Sequence, residues 1–254
     1  MAAWSKVRRV GTVAAAALVV VVGASSAGPD TRSEHRATRP VPAPSPARAG
    51  LAHDATALRL YVDPQNPAAD QVRQWNADGR EADARAIRKI AVQPTAVWLT
   101  GPPQDAAESV RSVTARAEQS GGIPVFVVYD LPDRDCGNFS AGGAASADAY
   151  RRWIGEISIA LANQPAMVII EPDAVAQIVT GCIAGEAAAQ RYELLHVAVD
   201  TLAAYSNVHV YLDAGNAGWV KDPLVMVQAL QRAGIADARG FALNVANFFT
   251  TDES

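Results

Sequence analysis

The sequence predicts a parallel α/β fold, barrel-like, with its chemistry gathered on one edge of the sheet. Three observations predict it. Apolar, β-branched runs recur and stop on carboxylates, in VFVVYDLPDRDC (125–136), MVIIEPD (167–173) and VYLDAG (210–215). The acids Asp135, Asp173 and Asp213 follow one another at 38 and 40 residues, a spacing that fits one strand–helix–strand unit. Helix-period segments lie between the runs. If the strands are parallel neighbours, all three acids leave the same C-terminal edge, where such folds place their chemistry. Acids clustered there point to acid–base work rather than to packing.

The elements follow in order. Residues 58–62 alternate apolar and polar and stop at Asp63-Pro64, a strand and its end. Residues 68–93 are helical in character and broken near Gly79, with Ala84, Ile87, Ile90 and Ala91 at helical spacing. Pro94 ends that helix, and 95–99 is a second strand. A helix over 104–120 closes on Gly121-Gly122, and 123–129 is a third strand, apolar throughout, as expected of a strand covered on both faces. Ser146 is a good N-cap for a helix over 146–164. Strand 167–170, helix 186–205, strand 209–212, helix 223–233 and strand 240–245 complete the alternation. The pattern predicts right-handed crossovers. Six strands are two fewer than a closed eight-stranded barrel holds. The chain therefore reads as a cut-off domain, with strand six an unpaired, aggregation-prone edge.

The N-terminus reads differently. Lys6, Arg8 and Arg9 precede an apolar run from Val10 to about Gly23, and small residues follow at Ala24, Ser25, Ser26 and Ala27. This is a secretory signal pattern, 1–27, with an uncleaved membrane anchor as the alternative. Removing its three positive charges takes the formal net charge from −4 to −7. Residues 28–54 are rich in Pro, Ala and Arg and read as an extended linker. The net negative charge argues against a nucleic-acid partner. Cys136 and Cys182 are the two cysteines; export favours one disulfide between them over two free thiols, worth about 3–4 kcal/mol. His35, His53, His196 and His209 lack metal-ligand spacing, and Asp130, Asp133 and Asp135 match no metal loop, so neither metal nor cofactor is expected. A phosphate-handling barrel has no glycine-rich loop to support it. Trp75 and Trp153 fall in helices as packing residues.

Five motifs, AVWL (96–99), VVYDLPDRDC, VIIEPD, YLDAGNAGW (211–219) and LNVANF (243–248), stand in an order that resembles glycoside hydrolase family 6. These are secreted β-1,4-glucanases and cellobiohydrolases. The resemblance makes 55–254 a partial catalytic domain and implies a distorted, incompletely closed α/β barrel. It implies inverting hydrolysis of β-1,4-glucosidic bonds in cellulose or soluble β-glucan. By the same resemblance Asp173 is the general acid. Asp135 keeps that acid protonated and stabilises positive charge at the anomeric carbon, and Arg134 orients Asp135. Tyr129 crowds the reacting sugar, and Ser140 holds the attacking water. Trp98 and Trp219 stack on sugars, Asp213 supports the sugar site, and Asn247 contacts hydroxyls. Cys136 and Cys182 match a family disulfide. The expected product is a secreted monomer whose partner is a β-1,4-glucan, or alternatively an impaired glucan-binding product. Two departures are visible: Asn216 stands where the family commonly has His, and the family's later segments, with a candidate base, are not in this sequence.

Overall fold

A computed structural model describes the backbone of residues 19–21 and the whole of residues 58–254. The linker and the rest of the signal segment lie outside the described residues. The strands are β1 (Val19–Val21), β2 (Val97–Leu99), β3 (Val125–Val128), β4 (Ala166–Ile170), β5 (Val208–Asp213) and β6 (Gly240–Leu243). They form one sheet in the order β1-β6-β5-β4-β3-β2. From β2 to β6 every pairing is parallel and between consecutive strands. Among the described residues the sheet stays open, as an incomplete barrel should.

Two expectations need correcting. Residues 58–62 do not make a strand. Tyr61 N and Ile123 N each bond across, at 2.8 Å, to give a single bridge between Leu60 and Ile123. The reason is competition: β2 occupies the same side of β3 from Val97 onward, and Pro64 stops the segment. The second correction concerns β6, whose outer edge is covered by β1 in antiparallel register, Val19 opposite Leu243. An open edge offers unpaired N–H and C=O groups to any extended apolar segment. Cleavage after Ala27, as the sequence predicts, would remove this strand.

The helices are α1 (Pro67–Ala77), α2 (Glu81–Ala91), α3 (Pro103–Ser120), α4 (Ala147–Leu161), α5 (Ala174–Val179), α6 (Gly185–Ala203) and α7 (Pro223–Arg232). Their starts follow from local chemistry. Asn66, Ser146 and Asp222 each accept a first-turn N–H on the side chain, and Pro67, Pro103 and Pro223 sit where no donor is needed. Gly79 (φ 71°) breaks α1 from α2, and Gly121 (φ 65°) ends α3. α5, directly after Asp173, was not expected.

Because side chains alternate along a strand, β3 and β4 feed two cores. On one face Phe126, Val128, Val168 and Ile170 pack with Val110, Trp153, Ile157 and Leu195 from the helices. On the other, Val125, Val127, Tyr129, Met167, Ile169 and Tyr211 form the interior of the partial barrel. Both strands are buried throughout, which is why the apolar runs carried no polar alternation. A disulfide joins Cys136 to Cys182 across 46 residues. It ties the loop after β3 to the one after α5, worth about 4 kcal/mol on the chain-entropy account.

Candidate active site

The C-terminal edge is where the backbone is strained. Asp133, Asp135, Cys136, Glu171, Asp173 and Asn244 all have positive φ, between 49° and 71°. Every one lies in a loop leaving β3, β4 or β6. Such conformations cost about 1–3 kcal/mol each and persist where the surroundings dictate them, commonly at active sites.

Asp173 is partly buried, and its carboxyl is pushed up to about 6, first by burial and then by the negative charge of Asp135. Asp213 lies beneath it, 1% exposed. Its Oδ1 accepts from Asp173 N at 2.8 Å and from Gly215 N at 2.9 Å. Burial, with the Asp173 charge adding to it, drives the Asp213 carboxyl up to about 8. Asp213 therefore holds the main chain of Asp173 rather than facing solvent. The Tyr129 hydroxyl is raised to about 12 by burial and by the charges of Asp135 and Asp173. Its ring meets Trp98 edge-on at 5.4 Å. Trp98 itself keeps 43% of its surface open, an exposed indole beside Tyr129.

Arg134 departs from its expected role. Its ion pair is with Asp130, at 3.2 Å. It also donates to Tyr129 O at 2.6 Å and Ser140 O at 2.9 Å, and its guanidinium lies 4.9 Å over the Tyr129 ring. Asp135 instead accepts from Ser140 N at 2.7 Å. The chain reverses at Asp135 and Cys136, so the carboxylate closes on its own loop while Arg134 spans back to the loop's start. Ser140 is exposed and enters this geometry through its backbone.

The loops after β5 and β6 make a second group. Asn216 is buried and accepts from Gly218 N at 3.0 Å, a turn contact. Trp219 is half-buried against the core. Asn247 accepts from its neighbour Phe248 N at 2.8 Å, a purely local bond. The residue that joins the two loops is Asn244. It bonds Gly215 O through its backbone at 2.7 Å and both polar groups of Phe249 through its amide. Phe249 in turn covers Gly218, where a Cβ would fall 2.3 Å from its ring.

Among the described residues, the side chains grouped closely enough to hold a metal are His196, Asp200 and Asp237. All three are exposed and lie by the N-terminal end of β6, the far edge of the sheet. Asp130, Asp133 and Asp135 do not form such a group.

Comparison with known proteins now decides the family. The model of the glycosyl hydrolases family 6 matches residues 55–254. The chain belongs to this family. It is 41% identical over 205 residues to endoglucanase A of Thermobispora bispora, covering 80% of this chain and 44% of that protein. Endoglucanase 1 of Streptomyces halstedii is 35% identical over 197 residues, 77% of this chain and 60% of that one. Among solved structures, the endoglucanase of Mycobacterium tuberculosis, bound to a methyl-cellobiosyl thio-cellobioside, aligns with a TM-score of 0.70. That alignment has 37% identity and covers 77% of this chain and 65% of the other. The chain thus spans less than two thirds of the relatives it matches.

Sequence reasoning singled out the acids of these family 6 motifs but passed over Glu171, Arg191 and Asn244. Glu171 had a signal, as the charged residue that directly ends a β-branched run and precedes a proline. A charge buried there must be satisfied by hydrogen bonds or neutralised. Arg191 had none, because an arginine on a long amphipathic helix reads as a surface residue. Asn244 stood in a noted motif, but its left-handed backbone is visible only in three dimensions.

Proposed function

We propose that this chain carries the acid side of an inverting β-1,4-glucan hydrolase acting on cellulose or soluble β-glucan. The observation that carries the reading is Asp173: a strand-edge carboxyl whose proton is retained to about 6 by burial and by Asp135. A general acid needs that property to protonate the leaving glycosidic oxygen near neutrality. In this scheme Asp135 faces the positive charge that develops at the anomeric carbon. Tyr129 crowds the reacting ring, and the open face of Trp98 stacks on a neighbouring glucose, with Trp219, Asn216 and Asn247 bordering the far side. Ser140, on the Asp135 loop, holds the attacking water. Inversion requires a base opposite the acid, roughly 6.5–9.5 Å away. Asp213 does not suit that task, being buried and bonded to the main chain of Asp173. The same reading makes the protein an exported monomer that needs no metal or cofactor.

Asp173→Asn and Asp173→Ala test it. Hydrolysis of carboxymethylcellulose should fall by about 10²–10⁴-fold, the usual worth of a general acid. Near-normal turnover in either variant would refute the assignment. Proton NMR of the first product should show the α-anomer, and a β-product would exclude inversion.

A second reading is a glucan-binding chain without turnover. It is favoured by the burial of Asp213, which is bonded to the main chain of Asp173 rather than free to act as a base. A reducing-sugar assay beside a thermal melt separates the two. A cooperative melt with turnover supports the hydrolase; a cooperative melt with glucan binding and no turnover supports the alternative.

A further inference from the structure

The segment that leads from β3 to Asp135 is held from below by two side chains that no sugar could reach. Glu171 is 1% exposed and Arg191 is 4% exposed. The Glu171 carboxylate accepts from Asp130 N at 2.9 Å and from Leu131 N at 3.2 Å. The Tyr150 hydroxyl lies close to the same carboxylate without a hydrogen bond of good geometry. Arg191, on α6, donates to Pro132 O at 3.2 Å and Asp133 O at 2.9 Å, and steadies itself on Gln177 Oε1 at 2.6 Å. With Arg134 N on Leu131 O, Ala144 N on Asp130 O and Arg134 Nη1 on Tyr129 O, all five carbonyls from Tyr129 to Asp133 are satisfied. Gly143 presses on the same stretch so closely that a Cβ would fall 1.8 Å from Leu131 O.

Packing alone does not explain this choice of residues. Burying a carboxylate and a guanidinium is unfavourable unless nearly every donor and acceptor is used, and apolar side chains of similar volume usually serve stability as well. Glu171 also holds a left-handed backbone, φ 49°, which a non-glycine residue adopts only under constraint. Apart from the Arg191 bond to Gln177, both residues spend their hydrogen bonds on the main chain of one loop, and that loop carries Asp135. The disulfide at Cys136 pins the loop's far end.

We propose that Glu171 and Arg191 are positioning residues that clamp the 130–133 backbone, one by its N–H groups and the other by its carbonyls, and so set where Asp135 stands relative to Asp173. The catalytic consequence rests on the reading of Asp173 as the acid; the clamp itself does not. Glu171→Gln places an amide donor against one of the two N–H groups. Arg191→Lys keeps the charge and loses the fork, in which Nη2 donates to both carbonyls while Nη1 is anchored on Gln177.

The experiment is amide hydrogen exchange on the full chain, with steady-state kinetics on a soluble cello-oligosaccharide in parallel. In Glu171→Gln, exchange at Asp130 and Leu131 should accelerate at least about tenfold, the equivalent of one lost buried hydrogen bond. Amides of β5 and α4 should be unchanged. In Arg191→Lys the acceleration should centre on Arg134, whose N–H bonds depend on the position of Leu131 and Gly142. Both variants should lower kcat by about tenfold to a hundredfold through a misplaced carboxylate, with KM nearly unchanged. Unchanged exchange in both variants, or a uniform loss of protection across the sheet, would overturn the clamp. If Glu171→Gln does not fold, Arg191→Lys decides alone. Wild-type chain without turnover would count against the hydrolase reading only, since the exchange pattern still tests the clamp.

Discussion

Asp173 keeps its proton for two separable reasons, and the larger is burial. The smaller, the charge of Asp135, can be removed without touching the acid. Because the acid must be protonated, the rate should fall as pH rises through about 6. In Asp135→Asn the folded value moves back toward the ordinary 3.8, so the alkaline limb of kcat/KM should shift to lower pH. It should not shift all the way, since burial remains. A limb that stays in place or moves up would show that the two carboxylates do not interact. Trp98 belongs to binding: Trp98→Ala should raise KM by roughly tenfold, the worth of one aromatic platform, with kcat little changed. A matching loss in kcat would place the indole nearer the reacting sugar than this geometry does.

The strands and helices show what a linear reading catches and misses. Five of the six expected strands formed, because buried β-branched runs, proline stops and side-chain caps are local signals. Residues 58–62 carried the same alternation yet made one bridge, because β2 holds that side of β3, a fact of neighbours rather than propensity. α5 escaped notice because its six residues carry no capping side chain. Two glycines make the same point about loops. Gly79 has φ 71° and nothing within 4 Å of a would-be Cβ, so Gly79→Ala should cost only the left-handed backbone penalty of about 1–2 kcal/mol. Gly143 has φ 100° and Leu131 O at 1.8 Å. Gly143→Ala should cost more than Gly79→Ala and free the Asp135 loop. Urea midpoints of the two variants check this, and equal midpoints would contradict the close approach.

For the molecule as a whole, the buried acids set the response to pH. Asp173, Glu171 and Asp213 are raised to about 6, about 7 and about 8, burial being the first cause in each. A carboxyl with a raised folded value binds its proton more tightly in the native state. Unfolding then releases protons, and stability falls as pH rises from the ordinary carboxylate range through these values. Asp63 opposes this with a lowered value beside Arg116, but its contribution is complete above the ordinary range. Urea unfolding should therefore show a higher midpoint at pH 5 than at pH 8. The reverse order would mean that these acids are better solvated than their burial implies. Reduction of Cys136–Cys182 should lower stability by about 4 kcal/mol at either pH.

The amino-acid sequence by itself determined the alternation of strands and helices, the edge on which the acids gather, the cysteine pair and the family. All of these depend on patterns within one element or on the order of short motifs along the chain. Only the tertiary structure decided that Arg134 pairs with Asp130, that Asp213 sits under Asp173 instead of facing the cleft, and that Glu171 and Arg191 grip the Asp135 loop. The first turns on the reversal of one short loop, and the other two on burial and on hydrogen bonds between residues 40 to 59 positions apart. A linear chain does not say which buried charge will find which backbone group, because that choice is made when the helices close over the sheet and exclude water.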